Sequence, residues 1–150
     1  MTSPPPVVTP TTDLVAVAWL RGVPGLPADR IATKVPADVS VWAGTGFVQV
    51  TAVGGEPDID VPMRRPVVSV DLWAVNPTSG RPPWGKAASL AEHARMGCYG
   101  NVGRVVALPA VGLAARVLSV YPMAEPRRVP DDEGSYARYQ FDLALHWTHL

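Results

Sequence analysis

One cysteine, Cys98, stands alone in 150 residues, so no disulfide can close within the chain and a stapled, secreted framework is excluded. Lysine is almost as scarce, at Lys34 and Lys86 only. Neither sign of charge is in excess: Lys+Arg and Asp+Glu both number 13, so no global field points to nucleic acid or to an anionic membrane. No apolar run approaches the roughly 20 residues of a membrane-spanning helix. The opening "MTSPPPVVTP" has neither the basic start nor the apolar stretch of a secretory signal. Together these absences predict a protein that is soluble and intracellular where it is made, with no membrane partner.

Proline and glycine, in contrast, are plentiful, at 17 and 13 residues. Such punctuation implies short elements joined by many turns. At this length one domain can bury roughly 68–70% of its unfolded surface and needs no staple. With no internal repeat and no linker, a single domain over 1–150 is expected, with 1–9 as an extended arm and 10–150 as the folded body.

Periodicity gives the elements. Thr9 followed by Pro10 predicts a helix start, and Leu14, Val15, Ala18 and Trp19 continue it at helical spacing until the Gly22–Pro27 cluster. "RIATKVP" reads as a short strand. "VSVWAGTGFVQVTAVGG" reads as two β-rich runs divided by a corner at Ala43–Gly46. "EPDIDVPMRR" is a polar excursion too long for a tight turn, and "PVVSVDLWAV" resumes the sheet. "NPTSGRPPWG" is a loop. "KAASLAEHARMGCYG" is a second helix whose stripe is Ala87, Leu90, Ala91, Ala94 and Cys98. "VVALP", "ARVLSVYP" and the closing run follow as strands. That closing run alternates: Tyr139, Phe141, Leu143, Leu145 and Trp147 on one side, Arg138, Gln140, Asp142, His146 and Thr148 on the other. The order predicts an α+β fold, a largely antiparallel sheet with two helices packed on one face.

Chemistry-bearing residues do not cluster. His146 and His149, three apart on a strand, point to opposite faces. His93 and Cys98 lie on the second helix without a short ligand motif. "GTG" at 44–46 lacks the third glycine and the following helix of a phosphate loop, so a turn needing positive φ explains it better. Cys98 on a small-residue stripe reads as a core thiol rather than a nucleophile. Asp58 and Asp60 stand beside Arg64 and Arg65 in an irregular segment, which suits a solvated or interface loop better than acid–base work. No catalytic residue, metal or cofactor is expected, and the chain is not expected to be an enzyme. The surface offers more. Trp84 lies in "GRPPWGK" with Arg81 and Lys86, either as an interface anchor or folded back over the second helix. The mixed charges around "PMRRP", Glu56 included, suit salt links to protein better than phosphate contacts.

Read in order, "DLVAVAWLRGVPGL", "RIATKVPAD", "FVQVTAVGG", "RRPVVSVDLWA", "AASLAEHAR" and "RRVPDDEGSYARYQFDLALHW" resemble tail terminator proteins of long-tailed bacteriophages, in the form found with high-GC actinobacterial hosts. The likeness spans about residues 12 to 147 and contains no catalytic motif. It implies a λ-type terminator-like fold and a ring, six-fold in the family, that caps the head-proximal end of the tail tube and then docks neck or head-completion proteins. Phage DNA would pass through the lumen. Partners would be other copies of the chain, the tube protein and a neck protein. The location would be the head–tail junction of the virion, after assembly in the host cytoplasm. Within that frame, the Glu56–Arg65 segment (Glu56, Asp58, Asp60, Arg64, Arg65) and the Arg81–Trp84–Lys86 loop are candidate subunit or neck contacts. Arg138, Gln140 and Asp142 are candidates for the seam or the lumen. A head-completion or stopper protein, a tube subunit, and more remotely a small hydrolase using His93 or His146 are the competing readings.

Overall fold

The computed structural model describes residues 10–57, 63–100, 103–130 and 135–150. Its chain order is α1 (Thr12–Arg21), β1 (Ile31–Ala32), β2 (Phe47–Pro57), β3 (Arg64–Val75), α2 (Trp84–Met96), β4 (Arg104–Leu108), β5 (Leu113–Pro122), β6 (Arg127–Val129) and β7 (Tyr136–His149). The fold is α+β, as the pattern of periods predicts. The strands form one sheet in the order β1-β2-β3-β7-β5-β4, antiparallel except for β1 against β2.

The closing strand β7 holds the centre. Along one edge it pairs with β3, from Val75↔Tyr136 to Arg64↔Trp147. Its other edge is shared end to end. β5 takes Leu143 to His149, and β6 takes Arg138 to Gln140. Between Pro122 and Arg127 four residues span a gap that β7 crosses in two; Met123 still donates its N–H to the Asp142 carbonyl at 2.8 Å, and Ala124–Pro126 leave the ladder as an excursion.

Alternation on β7 then fixes which face is core. Phe141, Leu143, Leu145 and Trp147 are buried and pack with Val48, Val50, Val68, Val70 and Leu72 from β2 and β3, and with Val117 and Val120 from β5. Both helices join this same cluster, α1 through Val15, Ala16, Trp19 and Leu20, α2 through Leu90, Ala91 and Ala94. They therefore cover one face of the sheet. α2 comes close because Ala87 meets Ala74 and Ala137, all three fully buried. Cys98 sits in the core with its thiol donating to the Ala94 carbonyl, and burial pushes it up to about 11.

Four expectations need correction. α1 starts two residues later than "TP" implies: Thr11 is the N-cap, its Oγ1 accepting from the Leu14 N–H at 3.4 Å. Pro10 precedes the helix, and Thr9 lies outside the described residues. The helix also presents Ala16 and Leu20 to the core, while Leu14 is exposed. "VSVW" is not a strand. Asp38 accepts from the Ser40 N–H and Oγ at 3.1 and 2.7 Å, which winds Val39–Val41 into a 3-10 turn. The "EPDIDVPMRR" excursion is largely strand at its ends, with Glu56 opposite Arg65 and Pro57 opposite Arg64. Finally, Trp84 is the first residue of α2 rather than part of a loop.

β2 reaches that length by way of a bulge between Ala52 and Gly54. Gly54 and Gly55 follow at φ +132° and +114°. At Gly55 a Cβ would lie 2.4 Å from the Arg65 carbonyl oxygen, so only glycine fits.

The close helix–sheet approach makes a first prediction. Ala137→Leu should lower stability by about 1–3 kcal/mol through overpacking against Ala74 and Ala87. Ser89→Ala, on the exposed side of α2, should stay within about 0.5 kcal/mol. Urea unfolding of both variants measures this.

Candidate functional site

The face of the sheet away from the helices carries an organised set of polar side chains. One end of it is covered. There Trp42, Phe47 and Val75 form a small second core with Trp73 and Tyr136, closed over by the segment carrying Val35 and Val39. From that cap toward the far end of the β2–β3 hairpin the face is polar and open.

Next to the cap stands an ion pair between neighbouring strands. Asp71 on β3 is only 6% exposed, and Arg138 on β7 donates to it from Nε at 2.8 Å. The Arg138 guanidinium also lies over the Trp73 ring, 5.0 Å from its centroid. Trp73 in turn donates from Nε1 to Gln49 on β2 at 3.2 Å, and Gln49 donates to the Thr33 carbonyl at 3.4 Å. Gln140 is the second hub. Its amide nitrogen donates to Ser69 Oγ at 2.9 Å and to Asp142 at 2.8 Å, while its oxygen accepts from Arg127 Nε at 3.0 Å. Cross-strand neighbours on one face of a sheet are close enough for such links, and alternation puts all these residues on that face.

Further along, Ser119 Oγ lies 3.2 Å from His146 Nδ1, and the Tyr121 ring meets the imidazole edge-on at 5.6 Å. Partial burial, and then the positive charge of Arg65, hold the imidazole below its ordinary range. A hydroxyl beside an imidazole is the start of a nucleophile–base pair. Here it goes no further, because among the described residues no carboxylate is hydrogen-bonded to the ring. Nor do the described residues bring three His, Cys, Asp or Glu side chains together as a metal site. His93 lies apart, against the Gly25 turn.

The structure disperses the other candidates. Arg138, Gln140 and Asp142 come together as described. Arg64 and Arg65 occupy successive positions at the start of β3, and the Arg64 guanidinium lies over Trp147 at 5.1 Å. Glu56 is in β2 opposite Arg65; Asp58 and Asp60 fall outside the described residues. Trp84 is half-buried. It packs edge-on against Tyr139 at 6.1 Å, with the Arg128 guanidinium 3.7 Å above its ring. It also packs against the Ala74–Ala87–Ala137 cluster, so part of the ring faces the sheet and part remains at the surface. Lys86 donates from Nζ to the Gly44 carbonyl at 2.6 Å, tying α2 to the Gly44–Gly46 turn. Arg81 is exposed.

Sequence reasoning missed Asp71, Ser69, Gln49, Arg127 and Ser119. Their polar positions inside strand runs were the available signal, but register, which a sequence does not state, decides who meets whom.

Two predictions follow from this geometry. Arg138→Met, which strands the buried Asp71 carboxylate, should cost about 1–3 kcal/mol, less than a fully buried pair because the arginine is partly solvated. Adding Asp71→Val should recover part of that loss, and a double-mutant cycle by urea unfolding measures the coupling. The second concerns pH. A histidine whose folded value is depressed contributes stability that is complete above the unfolded value near 6.5 and is lost as pH falls below it. His146→Gln should therefore flatten the stability–pH profile below about 6.5, and Arg65→Glu should move the His146 titration upward in NMR.

No protein-family model matches the chain, and no curated protein matches it significantly.

Proposed function

We propose that this chain is a tail terminator of a long-tailed bacteriophage, a structural subunit whose ring caps the head-proximal end of the tail tube and receives a neck protein. The ordered resemblance of its segments suggests the family. The structural observation that carries the reading is the division of the sheet's two faces. Both α-helices lie on one, and on the other, beyond the Trp42 cap, is a polar surface where Asp71, Arg138, Gln140 and Asp142 are hydrogen-bonded within the chain.

Such a surface suits a channel or a seam. The Asp71 carboxylate and the Arg138 guanidinium cancel in place, and Gln140 joins Arg127 to Asp142. DNA moving past would find few uncompensated cations to release its counterions and hold it. The strand ends at Glu56 and Arg64–Arg65 remain the candidate subunit contact, with Arg81 and its neighbours as a second. A six-fold ring needs two different complementary patches on each copy.

Purified protein mixed with polymerising tube subunits tests the reading. A terminator should shorten the tubes at substoichiometric amounts and be found, by labelled electron microscopy of virions, at the head–tail junction. Label along the whole tail, or tubes grown by this chain alone, would make it a tube subunit and defeat the proposal. Arg65→Glu is the variant that tests the hairpin contact, because it reverses a charge at the paired end of β2 and β3. It should leave the melting temperature within a few degrees and impair ring formation in native mass spectrometry.

A further inference from the structure

We infer that copies of this chain join edge to edge, strand β4 of one beside the hairpin end of strand β2 of the next. This rests on the ring reading above and identifies the contact within it.

The sheet has two edges, and they are protected unequally. β1 covers β2 only at Val48 and Gln49. Three residues beyond Gln49, the Ala52 N–H is capped by the Asp13 carboxylate at 3.2 Å, a side chain standing in for a strand. Beyond Ala52 no described strand lies alongside β2 up to Pro57, and Val53 is 54% exposed. At the opposite edge, β4 has no described strand beyond it along its full length. Natural edges are usually blunted by lysine, proline, inward charge or a bulge. The exposed end of β2 carries a bulge at Ala52/Gly54 and ends in Pro57, whereas β4 reads Arg-Val-Val-Ala-Leu, pairs with β5 without a register shift and exposes Val105 and Ala107, so β4 is the less protected edge.

Beside β4 the surface is mostly apolar. Leu14, Val17 and Ala18 of α1 face Ala107, Pro109 and Val111 across a shallow groove that also has Arg21 in its lining. A strand added to β4 would satisfy the edge amides and lay alternate side chains along this groove.

The occupant follows from the topology. β2 and β4 run in the same direction, since each is antiparallel to a strand antiparallel to β7. The register also joins them in one row, Pro57↔Arg64↔Trp147↔Val117↔Arg104, so both bare edges lie at the same end of the sheet. The β2 edge approaches that row and the β4 edge leaves it. Head-to-tail pairing therefore steps each copy along the strand direction, by about 3.3 Å for each residue of offset. One chain thus carries two different, mutually pairable edges, the requirement of a heterologous contact, and that contact closes into a ring when the strands are tilted to the ring axis so that the step along them is absorbed. Pairing β4 with β4 would cover one edge, make a two-fold dimer and leave the β2 edge bare.

The full chain, on its own and on tube ends, is the test material. Val105→Lys/Ala107→Lys puts charge on exposed edge positions. It should keep the wild-type melting curve and weaken self-association at least roughly tenfold by native mass spectrometry. If this variant forms rings as readily as the wild type, edge pairing is wrong while the ring reading stands. A second measurement does not depend on that variant folding. With Val53→Cys/Val105→Cys in one chain, a short bismaleimide should give a ladder of cross-linked oligomers; Cys98, buried and poorly ionised, does not compete. Each single replacement alone should give none. Rings without the ladder overturn the edge contact, as do dimers from Val105→Cys alone. A wild-type chain that stays monomeric even with tube ends overturns the ring reading and this inference together.

Discussion

Everything in this fold depends on β7 having partners along both edges. β1, β2 and β3 form one half of the sheet, β4, β5 and β6 the other, and no strand of the first half pairs with a strand of the second. Among the described residues β7 alone bridges them. Its alternation also assigns the faces, because a one-residue slip would move Phe141, Leu143, Leu145 and Trp147 out of the core and bury Arg138, Gln140 and Asp142 instead. Register and burial enforce each other here. The hydrophobic term holds the register, and the register brings Asp71 to Arg138.

That coupling explains what could be read from the sequence. The face assignment of β7 was legible because period-two alternation there is nearly unbroken. Both helices were legible from their stripes, although the start of α1 depended on whether Thr9 or Thr11 caps it, and both hydroxyls fit the rule. "VSVW" misleads because its β-branched residues suggest a strand while Asp38 and Ser40 close a local turn. The hairpin was understated for the reverse reason: prolines and mixed charges imply a loop, yet Glu56, Pro57, Arg64 and Arg65 still pair. An edge location accommodates such residues better than a central one.

The candidate surface was only half legible. Arg138, Gln140 and Asp142 could be placed on one polar face, but the partners that reach them from other strands lie 13 to 71 positions away, on β3 and β6. Trp84 shows the same limit. Its neighbours in sequence are loop formers, whereas in space it lies between Tyr139 and Arg128. The polar face is therefore a product of tertiary register, while the core is a product of local pattern.

The position of β7 in the chain has a kinetic consequence. The bridging strand follows every other strand, so neither half of the sheet has its main partner until residues 136–149 have left the ribosome. Until then the inner edges of β3 and β5 are as bare as the outer ones. Contacts between residues so far apart fold slowly, since loop closure must precede any gain from pairing. A nascent chain of this design exposes hydrophobic strand edges for longer than a sheet built hairpin by hairpin, and its yield should depend on how well those edges are shielded during synthesis.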